Sequence, residues 1–173
     1  MKLICAPMAT LTHAAFRSVV EKSGGCDEYY SEMINAGTFV TGGPFEKYYV
    51  IPDPAPEKMV WQITGRKTEH IVRAAEMIAA LPGSGIDINM GCSAPEIMRS
   101  GAGAAWLTRD RAETREMISG VCNALQHAPY SAALGICRKA VRPVQRAACF
   151  NRFKRRCARR CFTERCAQSS SAC

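Results

Sequence analysis

Short apolar runs that recur every 24 to 32 residues, each followed by a stretch of helical periodicity, leave a chain few folds to choose from. Strands are expected at Leu3–Met8, Asp27–Met33, Met59–Ile63 and Gly85–Asn89. The intervals exceed the dozen or so residues that a crossover with its helix requires, so the strands should run parallel. Helices are expected from a cap at Thr12 through Phe16, Val19 and Val20 to a stop at Gly24-Gly25, and from Thr68 through Ile71, Ala75, Ile78 and Leu81 to Pro82-Gly83. A third begins at Asp110, where Glu113 completes a capping-box pattern, and carries Met117, Val121 and Leu125 on one face. Residues 35–58, rich in Gly, Pro and aromatics, read as mainly loop. Repeated βα units without a second class of element predict an α/β fold, either a barrel or a doubly wound sheet.

This pattern stops near residue 127. Residues 1–127 hold 12 Lys and Arg against 14 Asp and Glu, a net of −2, whereas residues 128–173 hold 11 against the single Glu164, a net of +10. Six of the ten cysteines also fall in the last segment. Its run Arg152 to Cys161 cannot bury a continuous face, so 128–173 is expected to be an irregular basic tail, disordered or read out of frame from a junction near Gln126–Tyr130. The start of the chain lacks the apolar core of a secretory signal, so the thiols are expected to be reduced and the protein cytoplasmic. The longest helical apolar stretch, Ile71–Leu81, contains Arg73 and Glu76, and no membrane span is expected.

In βα folds ligands collect beyond the carboxyl ends of the strands, which puts Asn89 and Cys92, in the segment Asp87-Ile88-Asn89-Met90-Gly91-Cys92, where chemistry is useful. A free thiol titrates near pH 8.5, so at neutral pH Cys92 can donate a proton as a general acid. A buried, inert thiol is the alternative reading of the same residue. Gln62, near the end of the third strand, carries an amide that must find partners. His13, His70 and His127 are scattered without ligand spacing, and no metal site is expected.

Five blocks in order carry a resemblance: Ala6-Pro7-Met8-Ala9 with Thr12 and Phe16-Arg17, then Ser31-Glu32-Met33, then Val60-Trp61-Gln62-Ile63-Thr64-Gly65, then Asp87 to Cys92, then Gly101-Ala102-Gly103-Ala104-Ala105. Residues 3–125 resemble the first half of the tRNA-dihydrouridine synthase catalytic domain, an FMN-binding (β/α)8 TIM barrel. The resemblance implies about four βα units of that barrel and a flavin enzyme that reduces uridine to dihydrouridine in tRNA, with NADPH or NADH as electron donor. It implies that Pro7, Met8 and Ala9 approach the flavin ring, that Gln62 hydrogen-bonds its edge, and that Asn89 lies beside flavin and target uridine. It makes Cys92 the acid that protonates the uracil ring. Glu96 stands where the family commonly has a basic residue, which would repel a phosphate rather than attract one. A complete barrel of this kind needs about 250 residues, so a half barrel is expected to have little stability of its own, to self-associate through its exposed edges or be degraded, and to be a truncated form whose activity is open.

Three other readings compete. The basic tail, with Phe150, Phe153 and Phe162 among arginines, suits a non-enzymatic RNA-binding protein. Cys157, Cys161, Cys166 and Cys173 suggest zinc, although no CxxC pair or histidine accompanies them. Another pyrimidine-reducing FMN barrel, of the dihydroorotate dehydrogenase kind, is the third.

Overall fold

The computed structural model describes residues 2–126 and a strand at 131–135. Six strands form one sheet in the order β1-β2-β4-β5-β6, with β3 also paired to β4, and every pairing is parallel. They are β1 (Ile4–Cys5), β2 (Glu28–Tyr30), β3 (Ile34–Asn35), β4 (Met59–Thr64), β5 (Gly85–Asn89) and β6 (Ser131–Gly135). Between them lie α1 (Ala14–Lys22), α2 (Ala36–Val40), α3 (Glu46–Tyr49), α4 (Thr68–Ala79), α5 (Pro95–Arg99) and α6 (Arg111–Ala124), with 3₁₀ turns at Pro56–Lys58 and Gly103–Thr108. Parallel strands that alternate with helices and pair in chain order have the topology of a partial (β/α) barrel.

The core lies between one face of the sheet and the helices. Trp61 and Ile63 of β4 and Ile86 and Ile88 of β5 pack with Ile71, Ala75 and Ile78 of α4 and Met117 and Val121 of α6, all at most 3% exposed. Both buried indoles find acceptors, Trp61 Nε1 donating to Pro82 O at 3.0 Å and Trp106 Nε1 to Gly65 O at 2.7 Å. Side chains alternate across a strand, so Gln62, Asp87 and Asn89 project from the opposite face. The apolar face assembles the protein, and the polar face is left for a site.

Several elements depart from the sequence reading for local reasons. Strand β1 is two residues long rather than six, because Pro7 has no N–H to give a ladder and the Met8 carbonyl instead accepts from Leu11 N and Thr12 N. Thr12 does not cap α1. Its hydroxyl accepts from Met8 N and donates to Met8 O, both at 3.0 Å, and the cap is His13, whose Nδ1 accepts from Phe16 N. The expected second strand, Asp27–Met33, shortens to β2, since Ser31 Oγ takes the Gln62 N–H at 2.9 Å in place of a ladder carbonyl, and β3 follows beyond it. Residues 35–58 carry two short helices, the first started by Asn35 Oδ1, which accepts from Gly37 N and Thr38 N. Thr68 is the first residue of α4 rather than its cap. Asp110 caps α6 as expected, but Glu113 turns to Arg109 instead of completing a capping box.

The largest correction is β6. It pairs with β5 over its whole length, from Gly85↔Ser131 to Asn89↔Gly135, and so carries the barrel pattern past residue 127. Ser-Ala-Ala-Leu-Gly has neither β-branched nor aromatic residues, and its strand character comes from its neighbour rather than from propensity. The Arg152–Cys161 run, the four-cysteine zinc reading and the RNA-binding reading of the tail lie outside the described residues, as does most of the expected frame junction.

Among the described residues no helix is long and apolar enough to cross a membrane, and no group of three or more His, Cys, Asp or Glu is placed to hold a metal ion.

Candidate active site at the carboxyl ends of the strands

The polar face of the sheet carries a continuous hydrogen-bond line at the carboxyl ends of the strands. Gln62, 4% exposed, donates from Nε2 to Asp87 Oδ2 at 2.6 Å and accepts at Oε1 from Asn89 Nδ2 at 3.1 Å. Because Asp87 accepts only, the amide orientation of Gln62 is determined: nitrogen toward β5's carboxylate, oxygen toward Asn89. One amide N–H and one carbonyl lone pair of Gln62 remain for a ligand. Asn89 in turn holds the loop that follows, its Oδ1 accepting from Gly91 N at 3.1 Å and Cys92 N at 2.9 Å. A single asparagine thus couples the Gln62 amide to the backbone of the thiol residue, and Cys92 is partly exposed there.

A second relay runs the other way. Ser31 Oγ, which accepts from Gln62 N, donates to Glu32 O at 2.8 Å, and Glu32 Oε2 accepts from Thr10 N at 2.7 Å. Pro7, Met8 and Ala9 lie just before Thr10 at the end of β1, with Met8 38% exposed. Gln62, Asn89 and Cys92 are therefore joined directly, whereas Pro7, Met8 and Ala9 reach them only through Thr10, Glu32 and Ser31. Thr10 has φ of 62°, a left-handed conformation uncommon for a non-glycine residue, and the Glu32 carboxylate holds its N–H in place.

Three positions that matter here had no assigned role in the sequence reading. Asp87 orients Gln62; the readable signal was a carboxylate on a strand with buried neighbours, where an unpartnered charge is costly. Tyr30 of β2 has its phenol pushed up by burial and then by the Asp87 and Glu28 carboxylates, so it stays protonated at neutral pH. Arg17 is 2% exposed and donates to the carbonyls of Thr12, Ile51 and Asp53, tying the turn after β1 to the segment before β4. Burial pushes its pKa down, opposed by Cys5, Asp53 and Glu32, yet a guanidinium remains charged.

Gly103 sets the position of the thiol loop. Its φ is +58°, Ala104 N donates to Cys92 O at 2.9 Å, and a Cβ at 103 would sit 2.5 Å from Cys92 O and 2.8 Å from Ile97 Cγ2. Gly103→Ala is expected to cost about 2–4 kcal/mol, the sum of left-handed strain and overpacking against backbone. Gly24→Ala, at φ +116° with no atom within 4 Å, is expected to cost about 1 kcal/mol. Urea midpoints of the two variants check the difference, and equal midpoints would show that the Cys92 loop is not so confined.

A cavity of about 680 Å³, lined by Arg66, Lys67, His70 and Arg109 among others, shares no residue with this network. Its cations are matched by Glu69, Glu113 and Glu116, and Arg109 is already held by Gly101 O and Glu113. The chemistry-bearing groups locate the site better than cavity size does. A smaller cleft of about 260 Å³ adjoins the relay at Thr10 and Glu32.

Comparison with known proteins agrees with this geometry. A model of the dihydrouridine synthase (Dus) family matches residues 4–137, a span that contains every strand from β1 to β6. The chain is 38% identical over 103 residues to the probable tRNA-dihydrouridine synthase of Aquifex aeolicus, covering 58% of this chain and 32% of that protein. It is 37% identical over 106 residues to the probable tRNA-dihydrouridine synthase of Helicobacter pylori strain J99, covering 61% and 32%. To tRNA-dihydrouridine synthase B of Pseudomonas aeruginosa it is 32% identical over 124 residues, covering 72% and 37%. The chain thus spans about a third of the length of the curated relatives it matches. Since the family model takes in most of the sequence and all of the described sheet, the chain belongs to the dihydrouridine synthase family.

Proposed function

We propose that this chain supplies the first part of an FMN-dependent active site that reduces uridine to dihydrouridine in tRNA, with Cys92 as the proton donor. The observation that carries the reading is the unbroken line Asp87–Gln62–Asn89–Cys92, in which a fixed amide and a thiol are held by one asparagine.

The residues present fit an isoalloxazine edge. Its N–H and carbonyl groups need a partner that both donates and accepts at a defined angle, and Gln62 retains one of each after Asp87 and Asn89 have oriented it. The end of β1 offers Pro7 and Ala9, with little side chain to keep a planar ring away from the backbone, and the partly exposed thioether of Met8. Thr64 Oγ1, two residues beyond Gln62 on the same strand face, is buried without a hydrogen-bond partner among the described residues. The loops that usually hold a cofactor phosphate in such barrels follow strands seven and eight, beyond the strands described here.

FMN held by the Gln62 amide and by Pro7, Met8 and Ala9 would supply a hydride, drawn from a nicotinamide cofactor, for one carbon of the uracil double bond. Cys92 gives its proton to the other carbon, so the base gains two hydrogens and the thiol is left as thiolate to be reprotonated from water. Asn89 fixes the Cys92 backbone against that proton transfer, and its position beside Gln62 keeps donor and ring edge in register. Protonated Tyr30 adds a neutral hydroxyl to a face otherwise dominated by Asp87.

The test is direct. The chain with FMN, NADPH or NADH, and an unmodified tRNA transcript should produce RNA in which a uridine has gained two hydrogens, read by nucleoside mass spectrometry. RNA unchanged with both nicotinamides, under conditions where the chain is folded, would contradict the reading.

A further inference from the structure

The cleft beside the proposed reaction site has a composition that the reduction of uridine does not use. It is lined by Thr10, His13, Glu32, Phe45, Tyr48 and Tyr49 and measures about 260 Å³. Clefts that enclose a drug-sized ligand run to roughly 300–1,000 Å³, so this one is sized for a single ring system. Phe45 is 66% exposed and Tyr48 56%, two aromatics with most of their surface in water on one short segment around α3. Lys47 Nζ lies 5.1 Å from the Tyr48 ring centroid, placing a cation at the margin of the aromatic surface. At the other wall Glu32 is 8% exposed, and only Oε2 is engaged, by Thr10 N; Oε1 has no hydrogen-bond partner among the described residues.

We infer that this cleft is a subsite for an unpaired nucleobase of the RNA substrate, adjacent to the uridine that reacts, and that it favours a base whose edge donates hydrogen bonds, guanine first. Exposed aromatics are the usual platform for unstacked bases, because every base has a π face to offer. A carboxylate accepts only, so it selects edges rich in N–H: guanine presents two adjacent donors, adenine and cytosine an amino group, and uracil a single imino N–H between carbonyls. Lys47 is positioned to meet a flanking phosphate. The cleft is tied to the proposed reaction site by hydrogen bonds, Thr10 N to the Glu32 carboxylate, Ser31 Oγ to Glu32 O and Gln62 N to Ser31 Oγ. The inference rests on the RNA reading above and deepens it by naming the residues and the base class.

Equilibrium binding of an unmodified tRNA transcript at fixed salt, without FMN or nicotinamide, tests the subsite apart from the reaction. Phe45→Ala/Tyr48→Ala changes only exposed rings and is expected to raise Kd by about tenfold or more. Glu32→Gln keeps an acceptor for Thr10 N while replacing one carboxylate oxygen by a donor, and it is expected to remove the advantage of GMP over UMP as a competitor. Circular dichroism and thermal melting establish that both variants fold. Unchanged tRNA affinity in the double variant would overturn the inference, as would equal competition by GMP and UMP in the unsubstituted chain. Loss of self-association in sedimentation velocity with RNA affinity intact would also overturn it, assigning the aromatics to a contact between copies. A chain that binds tRNA through Phe45 and Tyr48 but makes no dihydrouridine would leave the subsite standing and remove only the reductase reading.

Discussion

Cys92→Ala is expected to lower the rate of uridine reduction by about 10²–10⁴-fold, the usual contribution of a positioned general acid. Flavin and tRNA binding should be retained, because the contacts of residue 92 that organise the loop are made by its backbone: N donates to Asn89 Oδ1 and O accepts from Ala104 N. Cys92→Ser should recover little, since a hydroxyl is a far weaker acid than a thiol. Single-turnover reduction of a tRNA transcript separates the chemical step from binding, and a Cys92→Ala rate within threefold of the parent would remove the thiol from the mechanism. A fall in tRNA affinity with no change in the single-turnover rate would do the same, by assigning Cys92 to binding.

Arg17→Met is expected to destabilise the fold by about 3–5 kcal/mol. Methionine fills the space but leaves the carbonyls of Thr12, Ile51 and Asp53 without their donor, and a buried acceptor with no partner costs about 1–3 kcal/mol before the structure relaxes. Lysine is not a conservative replacement here, because one ammonium cannot match a fork of donors aimed at three carbonyls. The shift in urea midpoint at constant slope measures the effect, and a loss below 1 kcal/mol would show that the carbonyls are satisfied in another way. The consequence reaches function, since Thr12 and Thr10 belong to the turn that presents Pro7, Met8 and Ala9. An Arg17→Lys chain that folds should therefore bind flavin more weakly than the parent.

The periodicity of β4, α4, β5 and α6 was legible because each buries a continuous apolar face, and a buried face leaves a repeat in the sequence. Elements whose shape is decided by side-chain hydrogen bonds were not legible in that way. Ser31 ends β2 with one hydroxyl, and Thr12 spends its own on Met8 instead of capping α1. β6 was missed for the opposite reason: Ser131 to Gly135 has no strand propensity of its own and is made a strand by β5. At the site, Gln62, Asn89 and Cys92 were legible as a resemblance, and the geometry adds how they are connected. Asp87 and Gly103 were visible as residues but not as roles, because neither the orientation of an amide nor a 2.5 Å approach to a carbonyl is written in spacing.

The central claim is that Cys92 and the seat for the flavin ring share one rim. Iodoacetamide alkylation of Cys92, followed by mass spectrometry with and without saturating FMN, measures this without depending on activity. Cys122, on the helix α6 that packs the other face of the sheet, is the internal control. FMN is expected to slow alkylation of Cys92 while leaving Cys122 unchanged. Equal rates at Cys92 in the presence and absence of FMN would contradict the account.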